Sequence, residues 1–166
     1  MSQTLATVPS LPAAPLPGRP PRIAVICAQW HREIVHRARD SLLAELARHG
    51  VGPEHVDTYE VPGAFEIPLH AQRLARAGAH DAIVACGLVV DGGIYRHDFV
   101  AHAVIDALMR VQLDCDLPVF SAVLTPQAFH EHVEHRSFFA AHFEKKGVEA
   151  AHACLGQLAA LHRLAA

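Results

Sequence analysis

The chain has 166 residues, 51% apolar and only 19% charged, which suffices for one well-cored domain and is too little for two ordinary ones. A net charge of −3 argues against nucleic acid or an anionic membrane as the main partner, and no apolar run approaches the roughly 18 residues of a membrane span. The four cysteines, Cys27, Cys86, Cys115 and Cys154, are widely spaced without a CxxC pair, the pattern of buried, reduced thiols in a cytoplasmic protein.

Six prolines punctuate Met1 to Pro21, and neither a charged start nor a continuous apolar stretch marks it as a signal peptide. This segment is expected to be a disordered or polyproline-like arm, leaving residues 22–166 as the single domain. Arg22 to Ala28 is apolar enough for a first buried strand. After the polar turn Gln29 to Glu33, a helix is expected from Glu33 to His49, with Ile34, Val35, Ala38, Leu42, Leu43 and Leu46 at helical spacing and Gly50 as its stop. Trp30 falls where strand hands over to helix, a place where an aromatic either packs on the sheet edge or offers a platform for a ligand ring.

His55 to Val61 alternates imperfectly as a second strand, followed by Pro62-Gly-Ala-Phe-Glu-Ile-Pro68 and a helix from about Leu69 to Ala77, stopped by Gly78. Ala82 to Val90 is a third strand. Asp91-Gly92-Gly93 turns the chain into a helix starting at Asp98 and running to about Leu113. Two glycines before a helix serve either as a tight turn or as a cradle of amides for a phosphate or carboxylate, and Tyr95, Arg96, His97 and Asp98 at the helix entrance favour the second use. Pro118 to Leu124 is a fourth strand. Thr125-Pro126 gives a helix-start signal, and a last helix covers about Gly147 to Leu164.

The order βαβαβαβα implies a parallel sheet with right-handed crossovers and helices on both faces. Segments around Trp30, Pro62 to Glu66 and Val90 to His97 then share one sheet edge and can line one crevice. His130, His132 and His135 raise the question of a metal, but no Cys or carboxylate completes a structural zinc set. A phosphate-facing pair, His135 with Arg136, or a solvated helix face are the other readings.

Pro62-Gly-Ala-Phe-Glu-Ile-Pro68, the strand and loop Val89 to Val100, and Lys146 followed by Gly147-Val-Glu149 are similar to motifs of the lumazine synthase family. The resemblance covers about Arg22 to His162. It implies a flavodoxin-like three-layer α/β sandwich and the condensation of 5-amino-6-(D-ribitylamino)uracil with 3,4-dihydroxy-2-butanone 4-phosphate to 6,7-dimethyl-8-ribityllumazine, with release of phosphate and water. No metal or organic cofactor is implied. Trp30 would stack on the pyrimidine. Ala64, Phe65, Glu66, Leu88, Val89, Val90 and Ser121 would hold the uracil and ribityl groups, Glu66 taking ribityl hydroxyls. Gly93 and Ile94, with His135, would take the phosphate. Most members have a histidine at Arg96, an aromatic at Ser121 and an arginine at His135. The Gly-Gly-Ile-Tyr-Arg-His-Asp-Phe-Val run from Gly92 resembles the divergent type II branch, which implies a homodecamer of two pentamers with sites between subunits.

Arg96 occupies the proton-donor position by this alignment. An arginine, with a pKa above about 12, is a poor proton donor, so its expected task is to stabilise or orient the departing phosphate, with the adjacent His97 as proton relay. The same departures suit a second reading, a weakly active or inactive relative that binds flavin or lumazine as an assembly. A flavodoxin-like signalling module would need an acidic pocket at the strand ends, where the chain offers only Asp91.

Overall fold

Two stretches of the chain are apolar at nearly every position, and both become central strands. The computed structural model describes residues 18–91, 96–126 and 133–165. Its elements are β1 (Ile23–Ala28), α1 (Arg32–Arg48), β2 (Val56–Val61), α2 (Ile67–Ala77), β3 (Ala82–Leu88), α3 (His97–Cys115), β4 (Val119–Leu124) and α4 (Val133–Ala165). The four strands form one parallel sheet in the order β2-β1-β3-β4. Every residue of β1 and β3 is buried, while β2 and β4 at the edges are partly exposed. A strand covered on both faces needs a continuous apolar run, and an edge strand does not.

Alternate residues of the central strands feed two cores. Val25, Cys27, Val84 and Cys86 pack with Leu42 and Leu46 of α1 and Phe143 and Leu155 of α4. Ala24, Ile26, Ile83 and Ala85 pack with Ile67 and Ala71 of α2 and Val104 and Leu108 of α3. Each face of the sheet therefore carries one helix pair, and the fold is the expected flavodoxin-like α/β sandwich. All four cysteines are free thiols, and burial pushes that of Cys154 up to about 12. No helix among the described residues is long and apolar enough to cross a membrane.

Residues 1–17 of the expected arm lie outside the described residues. Arg19, from the end of that segment, forks onto Asp81 at 2.7 and 2.8 Å, and the Arg22 amide donates to the same carboxylate at 2.7 Å. Two helices start earlier than their sequence signals. Pro68 sits in the first turn of α2, where its missing N–H costs nothing. Gly147 lies within α4 instead of opening it, where α4 packs closely on α1: a Cβ there would overlap the carbonyl oxygen of Ala38 and Oγ of Ser41. Thr125 and Pro126, expected to open a helix, are not helical.

Candidate active site

β1 is followed in sequence by β2 on one side, and the chain then crosses to β3 on the other, so the strand order reverses between β1 and β3. In a doubly wound sheet this leaves a crevice at the carboxyl ends of those two strands. A cavity of about 260 Å³ occupies that position, lined by Trp30, His31, Ala64, Phe65, Leu88, Val89, Val90, His97 and Val100. Its walls are mostly apolar, with His31 and His97 among them.

The walls are held by main-chain bonds between loops. The Gln29 amide donates to Val61 O at 2.9 Å and that of Trp30 to Pro62 O at 3.2 Å, fastening the turn after β1 to the turn after β2. The Val89 amide donates to Leu124 O at 2.9 Å, tying the end of β3 to that of β4. Trp30 lies over Gly63. A Cβ at Gly63 would come within 3.0 Å of the indole Cε3 and 3.2 Å of Glu66 Oε2. Glu66 accepts a hydrogen bond from the Gly63 amide at 2.9 Å, closing the 3₁₀ turn Ala64–Glu66 that presents Ala64 and Phe65 to the cavity. His31, at the start of α1, adopts the left-handed conformation with φ 55°, a costly state for a residue with a Cβ and one concentrated at functional turns.

The structure thus brings together Trp30, Ala64, Phe65, Leu88, Val89, Val90 and His97. Glu66 lies just outside, on a broader hollow shared with Phe65, Leu69 and Arg73. Arg96 precedes α3 and points along it: its guanidinium pairs with Asp98 at 3.1 Å and lies 4.4 Å from the centre of the Phe99 ring. Desolvation raises the Asp98 carboxyl, but the hydrogen bond and charge of Arg96 outweigh this and leave it below its ordinary value. Ser121, on the edge strand β4, is exposed, and its Oγ accepts from the Val123 amide at 3.3 Å. Arg136, read with His135 as a possible phosphate-facing pair, instead donates to Glu33 at 2.7 Å. Gly93 and Ile94 lie outside the described residues, as do His130, His132 and the side chain of His135.

Two lining residues escaped the sequence reading. Val100 carried a signal, since it follows His97 on the same helix face one turn later. His31 carried only its place beside Trp30, because its left-handed backbone is invisible in a string of residue types.

A four-stranded parallel sheet, two helices on each face and an aromatic-walled cavity at the switch point define a flavodoxin-like α/β protein with a site of small-molecule size. Sequence comparison narrows the class. The model of the 6,7-dimethyl-8-ribityllumazine synthase family matches residues 20–162. The chain is 67% identical over 132 residues to the 6,7-dimethyl-8-ribityllumazine synthase of Rhodococcus erythropolis, covering 80% of this chain and 85% of that protein. It is 58% identical over 147 residues to 6,7-dimethyl-8-ribityllumazine synthase 2 of Bradyrhizobium diazoefficiens, covering 88% and 87% of the two. A protein of the same name in Pseudomonas syringae pv. tomato is 52% identical over 146 residues, with 86% of each chain covered. The chain belongs to the 6,7-dimethyl-8-ribityllumazine synthase family.

Proposed function

We propose that the protein condenses 5-amino-6-(D-ribitylamino)uracil with 3,4-dihydroxy-2-butanone 4-phosphate to give 6,7-dimethyl-8-ribityllumazine, phosphate and water. The observation that carries this reading is the convergence of Trp30, Ala64, Phe65, Leu88 to Val90 and His97 on one cavity. An indole face and apolar walls suit a flat pyrimidine. Glu66 would receive ribityl hydroxyls as the chain leaves the cavity past Phe65. His97, which lines the cavity, would relay the proton, and Arg96 would turn from Asp98 to the phosphate held by Gly93, Ile94 and His135.

Self-association belongs to the same reading. Phe65, Leu69, Leu113 and Phe138 are all exposed large apolar side chains, and contact with further copies would cover such surface. We infer a homopentamer or a decamer of two pentamers, of the type II branch, working in the cytoplasm with sites completed between subunits. A second reading, a flavin- or lumazine-binding assembly with little turnover, is favoured by one observation: Arg96 is engaged by Asp98 and Phe99 outside the cavity.

Lumazine formation from the two substrates, followed by absorbance, separates the two. We expect turnover in the unaltered protein and a kcat lowered about 100-fold in His97→Ala with little change in KM. In Arg96→Ala the KM for the phosphorylated ketone should rise. Turnover no faster than the uncatalysed condensation, together with tight riboflavin binding that quenches its fluorescence, would establish the binding assembly instead.

A further inference from the structure

We propose that Glu45, His49 and His152 form a binding site for a divalent transition-metal ion, best matched by zinc, that clamps α1 to α4. Glu45 and His49 are four residues apart at the carboxyl end of α1, so their side chains share one face. His152 reaches them from the second half of α4. Both imidazoles approach through Nε2, and both approach the same atom, Glu45 Oε1, at 3.2 Å from His49 and 2.7 Å from His152. The three potential ligand atoms all lie within 4.8 Å of one another.

A zinc ion bound at about 2.0–2.1 Å by tetrahedral ligands separates those ligands by about 3.3 Å. The observed separations from Oε1 lie within several tenths of an ångström of that, and the two imidazole nitrogens, within 4.8 Å of each other, draw together by side-chain rotation as three metal bonds replace the two hydrogen bonds. The rings meet edge to face, with centres 5.7 Å apart and an interplanar angle of 85°. The donor set selects the ion: two imidazoles and a carboxylate suit zinc, cobalt, nickel or copper, whereas magnesium and calcium seek oxygen ligands. Glu45 is 8% exposed at its side chain and the histidines 32% and 24%, which buries the anionic ligand and leaves the fourth position open to water. Arg48 holds the other carboxylate oxygen at 3.1 Å, fixing the orientation of Oε1 while its own head stays in solvent.

This cluster lies away from the cavity, because His31 precedes α1 at the cavity edge and His49 follows its far end. The ion would therefore fasten one helix pair to itself and take no part in the reaction. Cobalt(II) titration of the full-length, metal-stripped protein reads the site directly. We expect saturation near one cobalt per chain with visible d–d absorption, displacement by zinc and indifference to magnesium. His49→Ala and His152→Gln should each weaken binding by about 100-fold, the glutamine keeping a hydrogen-bond donor for Glu45 so that folding, checked by circular dichroism, is retained. Zinc should raise the Tm of the unaltered protein and leave that of His152→Gln unmoved. Absence of saturable binding in the unaltered protein would overturn the proposal, as would binding unchanged in both variants.

Discussion

Gly147→Ala sets two effects of opposite sign against each other. Glycine inside a helix costs about 1 kcal/mol relative to alanine, so propensity alone predicts stabilisation. Gly147 is buried, however, and an added Cβ would fall deep inside contact with Ala38 O and Ser41 Oγ. Neither neighbour yields easily. The carbonyl belongs to the backbone of α1, and the hydroxyl is held by Arg37 O at 2.9 Å and Ala38 O at 3.1 Å. The helices must instead move apart, loosening Phe143, Ala150, Ala151 and Cys154, all buried on the same stripe of α4. Overpacking of a well-filled core costs about 1–3 kcal/mol, and a clash with main chain belongs at the upper end. The net expectation is destabilisation by about 2 kcal/mol, a fall in Tm of about 4–8 °C for a chain of this size. Thermal melts of both proteins at equal concentration, with EDTA present, test it. A Tm that holds or rises would refute the close crossing as the reason for this glycine.

Three other substitutions probe the cavity and the charged groups. In Gly63→Ala the exposed Trp30 ring can shift by a few tenths of an ångström, so the Tm should hardly change, while the loss of about 1 kcal/mol of stacking raises the KM for the pyrimidine several-fold. The hydrogen bond from His152 holds the Glu45 carboxyl below its ordinary range. Its stabilisation is therefore complete above the unfolded value near pH 4.3 and lost as pH falls through the lower folded value. Glu45→Gln should then lower the Tm at neutral pH and flatten its decline in acid, and an acid limb of unchanged steepness would contradict this. Asp98→Asn releases Arg96 from its present partner, so the KM for the phosphorylated ketone should fall while that for the pyrimidine stays fixed; unchanged KM values would show that Arg96 does not meet the phosphate.

The strands were legible because the physics that buries them also writes them. Ile23 to Ala28 and Ala82 to Leu88 are apolar on both faces, which only a covered sheet explains, and the helices between them then dictate parallel order. From that topology the meeting of Trp30, Phe65, Val90 and His97 followed without side-chain detail. Gly147 was misread because glycine marks a helix boundary as readily as a close helix crossing, and only the position of α1 decides between them. The direction of Arg96 was equally hidden. It depends on Asp98 and Phe99 competing for the guanidinium, a balance among exposed partners that residue order does not fix.

That balance bears on the chemistry. Arg96 is 71% exposed at its side chain in its pair with Asp98. Such an ion pair is worth about 0.2–1 kcal/mol, and the exposed contact with Phe99 adds about 0.5–1 kcal/mol. A phosphate group offers more negative charge than one carboxylate and several oxygens to a forked donor, in hydrogen bonds roughly twice as strong as neutral ones. On the proposed reading, that advantage would exceed the weak hold of Asp98 and Phe99. An arginine parked on the first turn of α3 is thus compatible with one that follows the phosphate when substrate arrives. A histidine at position 96 would make the phosphate contact with fewer donors, and the neighbouring His97, already lining the cavity, leaves the proton a carrier when position 96 gives that task up.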